Sequence, residues 1–417
     1  MKAIIDLHIH SRFSRACSKE LTLPNLARWA ERKGIDLLGT GDVTHPAWRA
    51  EIKEQLEEIA PGIFTLKKDQ GKARFLLTTE LSCIYKQNNK VRRVHHIICF
   101  PSMAAVERLV ASLEKRGCNL RADGRPILGL SSQALLDLVL EADPGCMFIP
   151  AHVWTPWFAV FGSESGYDSL VECFGDELVK HIHAIETGLS SDPAMNWRIS
   201  GLDSVMLVSN SDAHSLRNLG REANQMELRE MSYEAFAEIL RTKDRSRFLQ
   251  TFEFFPEEGK YHVDGHRACG VRLTPAETKK HGGLCPVCGK QVTVGVLHRI
   301  DALADRPGGI SPASAVPFRH LIPLEEVIAE VLDVGKASKK VAGLYEKITT
   351  DIASEFALLL DYPLADLAGR VPDLLVEALR RVRAGEVQIA PGYDGEYGVI
   401  KIFSDADRQI AKPHSLL

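Results

Sequence analysis

Asp6, His8 and His10 close the apolar run AIIDLHIHSR (residues 3–12). Alternate side chains of a strand share a face, so these three are expected to point one way, with Leu7 and Ile9 in packing. The same residue types recur along the chain: Asp42 and His45 in TGDVTH, Glu80 in LLTTELSC, His95 and His96 in HHIICF, His152 in IPAHVW, and Asp212 and His214 in SNSDAH. Adjacent residues of a strand face opposite sides, so one of His95 and His96 is expected to face the site and the other to pack. Crowded imidazoles and carboxylates are costly to bury unless a cation offsets their charge. Imidazole with carboxylate suits Zn, Mn or Fe, and the number of ligands points to two or three divalent ions, Zn first with Mn or Mg as alternatives. A multinuclear site activates water near neutral pH and clamps both oxygens of an in-line displacement, which is the chemistry of phosphoester hydrolysis. Asp212, Glu80, His8 and His10 are the expected catalytic group. Asp42, His45, one of His95 and His96, His152 and His214 complete the expected ligands.

A second constellation lies further on. HRAC (266–269) and CPVC (285–288) are two pairs, each spaced by two residues, with fifteen residues between. Such knuckles make a tetrahedral structural zinc site, here from His266, Cys269, Cys285 and Cys288. His262, Asp264 and His281 are nearby alternatives for the fourth ligand. So small a module buries little core, so the ion would supply most of its folding energy, roughly 10–16 kcal/mol in isolated fingers.

Elements must deliver these groups. GIDLLGTGD (34–42), ARFLLTTELSCIY (73–85), HHIICF (95–100), GCMFIPAHV (145–153), HIHAIETG (181–188) and SVMLVSNSDAH (204–214) read as buried strands, with helical stretches such as 22–34 and 131–143 between them. Alternation of this kind predicts parallel strands in a barrel or doubly wound sheet, with the ligand-bearing strand ends converging on one face. The pattern changes after about residue 250. Residues 251–310 are expected to form a zinc-binding module and linker, with LADRPGG (303–309) as the linker. Residues 311–417 are expected to be helical, ending in a β-hairpin over 387–403. The chain has 417 residues, 45% hydrophobic and 25% charged, with a net charge of −4. That excludes a strongly basic protein but not a local anion-binding patch. No apolar run reaches membrane-spanning length, and the start lacks a signal peptide's pattern, so a cytoplasmic protein without membrane association is expected. The other six cysteines, Cys17, Cys83, Cys99, Cys118, Cys146 and Cys173, show no framework spacing and read mostly as buried small hydrophobes.

The order His-x-His, Asp, Glu, His, His, Asp-x-His over residues 1–250 resembles the PHP (polymerase and histidinol phosphatase) family. That resemblance implies a distorted (β/α)7 barrel with a trinuclear site. His8, His10, Glu80 and Asp212 would hold one ion; Glu80, His96 and His152 a second, with Glu80 bridging; His214 with Asp42 or His45 a third. Two places depart from the family pattern. SRFSRACSKE sets Arg15 and Ala16 where many members carry another ligand, and TGDVTH replaces the usual Thr-Asp-His. Both bear on the third ion.

The whole order of a PHP barrel, then EFFPEEGKYHVDGHRACG, then CPVCGKQVTVGVLHRIDALADRP, then a helical tail with PGYDGEYG, resembles the endonuclease Q family. The resemblance implies a DNA repair endonuclease that nicks on the 5′ side of deaminated bases (uracil, hypoxanthine, xanthine) and abasic sites, with repair or replication proteins as candidate partners. Such an enzyme must extrude the base and hold it. HVWTPWFAVFGSESGYD (152–168) offers Trp154, Trp157, Phe158 and Tyr167 as stacking faces. VGKASKKVAG (334–343) offers Lys336, Lys339 and Lys340 as phosphate contacts. The alternative is a PHP-type phosphatase or nuclease acting on small phosphoesters or undamaged DNA, although a phosphomonoesterase needs neither zinc module nor tail.

Overall fold

The computed structural model describes residues 1–68, 71–404 and 407, which divide into two compact units. The end of the expected C-terminal domain, past residue 404 apart from Asp407, lies outside the described residues. The first unit comprises residues 1–31, 35–253 and 296–319. Its frame is a ring of strands: β1 (Lys2–Asp6), β2 (Leu37–Gly39), β3 (Arg74–Gln87), β4 (Lys90–Phe100), β5 (Met147–Pro150), β6 (Ala184–Glu186) and β7 (Met206–Val208). β1 pairs parallel with β2, β2 with β3, and β6 with β7. The ring closes through backbone beyond the strand ends. Val153 N–H donates to Glu186 O at 3.1 Å, and Ile9 forms a parallel bridge with Ala213.

The exception is β4, which is antiparallel to both β3 and β5. The expected run of uniformly parallel strands is thus broken by one long hairpin, turned at Asn88 and Asn89 with positive φ, where Asn is tolerated. The interior carries β-branched and aliphatic side chains, among them Ile5, Leu76, Ile97, Ile149 and Val208, all essentially inaccessible. Helices flank the ring at the expected places. One runs Leu23–Lys33, before Gly34 at φ 83°, and another Ser132–Ala142, capped by the Ser131 hydroxyl.

The second unit comprises residues 32–34, 254–295 and 320–417. It joins the cysteine module to the helical region, which differs from the expected division at 250 and 310. The reason is the C-terminal hairpin of β8 (Gln388–Ala390) and β9 (Val399–Lys401), whose turn is bonded into the module. Gly392 N–H donates to Glu257 O at 2.7 Å, and Val263 N–H to Gly392 O at 3.1 Å. Gly392 and Gly398 approach that backbone so closely that any side chain would clash with Gly259 O or Glu257 O. Residues 296–319 instead belong with the barrel. Arg198 pairs with Asp301 at 2.6 Å, and Thr251 N–H donates to Pro317 O. No helix among the described residues is long and apolar enough to cross a membrane.

Candidate metal centre

His8 and His10 follow β1, His152 follows β5, Glu186 ends β6, and Asp212 lies beyond β7, so the C-terminal strand ends meet at one mouth of the ring. Glu80 reaches the same place from the middle of the long β3. His8, His10, Glu80 and Asp212 each turn one ligand atom into a group no wider than 4.8 Å, and Glu80, His95 and His152 do the same. Glu80 belongs to both. Its Oε2 lies 3.2 Å from His10 Nε2 and 3.4 Å from His8 Nε2; its Oε1 lies 2.7 Å from His95 Nδ1 and 3.1 Å from His152 Nε2.

This corrects the expectation for the adjacent histidines. In the antiparallel register, His95 stands opposite Ser82 and His96 opposite Leu81. Directly opposed residues share a face, and Ser82 shares its face with Glu80 two residues away, so His95 enters the site. His96 points outward. It packs 4.6 Å from the Phe148 ring and lies 2.8 Å from the Ser132 hydroxyl, buried so deeply that its imidazole falls to about 3.

Outer partners orient the ligands. His8 Nδ1 lies 3.0 Å from Glu186 Oε2, which leaves Nε2 to face Glu80 and Asp212; that Nε2 is buried without a hydrogen bond. His10 Nδ1 lies 3.0 Å from Asp42 Oδ1, and Asp42 Oδ2 accepts from the Ser11 N–H and the Ser11 and Ser14 hydroxyls. A carboxylate behind a ligating imidazole sets its tautomer and raises its basicity. Asp42, His152 and Asp212 all hold positive φ (48°, 30° and 45°), backbone strain concentrated at the mouth. Burial opposes charge on His8, yet Glu186, Glu80 and Asp212 outweigh it and hold the imidazole well above the ordinary range. Burial also opposes ionisation of Glu80, but His95, Arg125 and His8 hold it well below the usual carboxylate range. An orphaned buried nitrogen and an ionised carboxylate common to both groups fit divalent cations.

The residues expected at a third ion have other partners. Asp42 is engaged by His10 and two serines. His45 caps the helix Pro46–Gln55 and stacks on Phe13 at 4.6 Å. His214 Nδ1 turns to the Asp212 backbone carbonyl at 2.9 Å. Among the described residues no third group of three such side chains converges at the mouth. Glu186 and Arg125 were missed. The first ends a strand just as the other ligands do, which was a usable signal. The second sits in a loop with no such mark.

Next to the cluster opens a cleft of about 590 Å³, lined by His95, His152, Asp212, Arg125, Trp157 and Phe158 among others. The aromatic loop is divided by this geometry. Trp157 is 47% exposed, and Phe158 lies 4.6 Å from the His95 ring. Trp154 and Tyr167, expected as stacking faces, are core instead. Trp154 donates from Nε1 to Asn196 Oδ1 at 2.7 Å, and Tyr167 lies under the Arg92 guanidinium. In the second unit, Lys336 pairs with Glu326 at 3.1 Å, while Lys339 and Lys340 stand exposed on the first turn of the helix Lys339–Asp351.

In that unit His266, Cys269, Cys285 and Cys288 also converge within 4.8 Å. The strands Asp264–His266 and Val271–Leu273 bring the first pair, and the turn after Cys285, closed by Gly289 N–H to Cys285 O, brings the second. Asp264 is not available, since it accepts from Gly295 N–H at 2.7 Å. Burial opposes the Cys285 thiolate, but the N–H groups of Cys288 and Val287 bring the thiol down to about 7, toward the form that ligates.

Comparison with known proteins places this geometry in context. The MJ0043 C-terminal domain family matches residues 323–386. YqxK of Bacillus subtilis is 31% identical over 417 residues, covering 96% of this chain and 99% of that protein. MJ0043 of Methanocaldococcus jannaschii is 32% identical over 252 residues, 59% of this chain and 31% of that protein. Among solved structures, the lesion-specific endonuclease PfuEndoQ from Pyrococcus furiosus superposes with a TM-score of 0.85 at 32% identity, covering 99% of this chain and all of that one. Endonuclease Q in complex with a 27-mer duplex substrate carrying an abasic lesion at the active site superposes at 0.84 and 32% identity, over the whole of both chains.

Proposed function

The chain belongs to the endonuclease Q family, and from that premise we propose that it is a DNA repair endonuclease cutting the phosphodiester on the 5′ side of deaminated bases (uracil, hypoxanthine, xanthine) and of abasic sites. It is a metal-dependent hydrolase. The observation that carries the reading is Glu80, a single buried carboxylate shared by two ligand groups beside an open cleft.

In this reading His8, His10, Glu80 and Asp212 hold one divalent ion, and Glu80, His95 and His152 hold a second. Bound there, the pair would supply a nucleophilic water at neutral pH and offset the charge on the phosphate. Glu186 and Asp42 fix the tautomers of His8 and His10. Trp157 and Phe158 hold the extruded nucleotide against the cluster by stacking, and an abasic sugar enters the same cleft. His266, Cys269, Cys285 and Cys288 hold a structural zinc, and Lys339 and Lys340 contact backbone phosphate.

A labelled duplex with one hypoxanthine tests this. One metal-dependent nick 5′ to the lesion is expected, leaving a 3′-hydroxyl and a 5′-phosphate with the base still attached. Release of free base, equal cutting of undamaged duplex, or turnover of a chromogenic phosphomonoester at a comparable rate would overturn it.

A further inference from the structure

The mouth of the barrel also holds a guanidinium. Arg125 Nη1 lies 3.0 Å from Glu80 Oε2, and the side chain lines the cleft beside Asp212 and His152. Its loop is tightly held. Arg125 N–H donates to Asp123 Oδ1 at 3.0 Å, Ser82 N–H to Pro126 O at 3.2 Å, and Gly124 N–H to Phe13 O at 3.1 Å. Gly124 sits so close to Asp42 and Ser14 that a Cβ there would lie 2.3 Å from either side chain. The loop therefore has one seat, and that seat aims Arg125 at the bridging carboxylate.

We infer that Arg125 is a further catalytic residue, whose guanidinium binds a non-bridging oxygen of the scissile phosphate. This rests on the phosphodiester reading above. Glu80 already faces four imidazoles, so Arg125 is its one partner able to turn outward without dismantling either ligand group. A guanidinium cannot lose its charge at working pH and presents a planar fork that matches phosphate oxygens. During hydrolysis a water oxygen bonds to phosphorus and gives up a proton, the bond from phosphorus to the 3′-oxygen breaks, and that oxygen takes up a proton. Arg125 holds a spectator oxygen throughout and stabilises the charge that builds on it.

The test compares the metal-loaded wild type with Arg125→Ala and Arg125→Lys. Three readouts are taken: metal content, affinity for inorganic phosphate by calorimetry, and kcat and KM on a duplex with one lesion. In Arg125→Ala the metal content should stay at the wild-type value, phosphate affinity should fall at least about tenfold, and kcat should fall roughly 10²–10³-fold with little change in KM. Arg125→Lys, which keeps the charge and loses the fork, should recover part of both losses. Wild-type phosphate affinity in Arg125→Ala would overturn the inference. So would loss of barrel metal, which would make Arg125 a holder of Glu80. If the wild type fails to nick lesion DNA, the proposed function fails, while the phosphate measurement still decides the role of Arg125.

Discussion

His95 Nδ1 lies 2.7 Å from Glu80 Oε1 across the long antiparallel hairpin of β3 and β4, and its neighbour His96 looks the other way. The two histidines should therefore separate cleanly on mutation. His95→Ala should lower the metal content of the barrel by about one ion and reduce nicking by at least about a hundredfold. His96→Ala should keep the metal and lose roughly 2 kcal/mol or more of stability, from the packing against Phe148 and the bond to Ser132. Elemental analysis beside thermal unfolding reads both. Metal loss in His96→Ala alone would reverse the assignment.

Glu186 meets His8 Nδ1 at 3.0 Å and does not line the cleft. Glu186→Gln leaves the volume unchanged but weakens the hold on His8 Nδ1, so metal affinity should drop about 10–100-fold. Activity should return as metal concentration is raised. A defect that no concentration of metal rescues would place Glu186 in contact with the reacting groups instead.

The barrel ligand groups and the Cys/His group draw on separate residues in separate units. Replacing Cys285 and Cys288 with Ser should remove about one zinc per chain and leave the barrel ions bound. The module should lose its own cooperative unfolding, because a zinc held there would supply most of its folding energy. Simultaneous loss of all metal would contradict two independent centres.

Two tryptophans of one loop should behave oppositely. Trp154 is 1% exposed, so Trp154→Ala should cost about 3–5 kcal/mol of stability. Trp157→Ala should leave stability nearly unchanged and weaken binding of lesion duplex by about 1–3 kcal/mol, the worth of one stacked base. Denaturant unfolding and a binding titration on each variant suffice. Unchanged lesion affinity in Trp157→Ala would remove it from the nucleotide site.

What the sequence determined by itself was local: which residues carry ligand chemistry, that they end apolar strands, and that two short pairs with zinc spacing follow. These are legible because strand and knuckle signals span only a few residues. His8, His10, His152 and Asp212 meet at the strand ends, Glu80 reaches them from the middle of its strand, and His266 joins the three cysteines. Tertiary structure decided what depends on partners distant in the chain. Whether His95 or His96 enters the site turns on the register between β3 and β4, and a slip of one residue exchanges them. Asp42 and His45 became a support for His10 and a helix cap because Ser11, Ser14 and Phe13 arrive beside them from the first loop. The cysteine module joined the C-terminal hairpin across more than a hundred residues, through backbone bonds that only glycines permit, and no local pattern reports such a pairing.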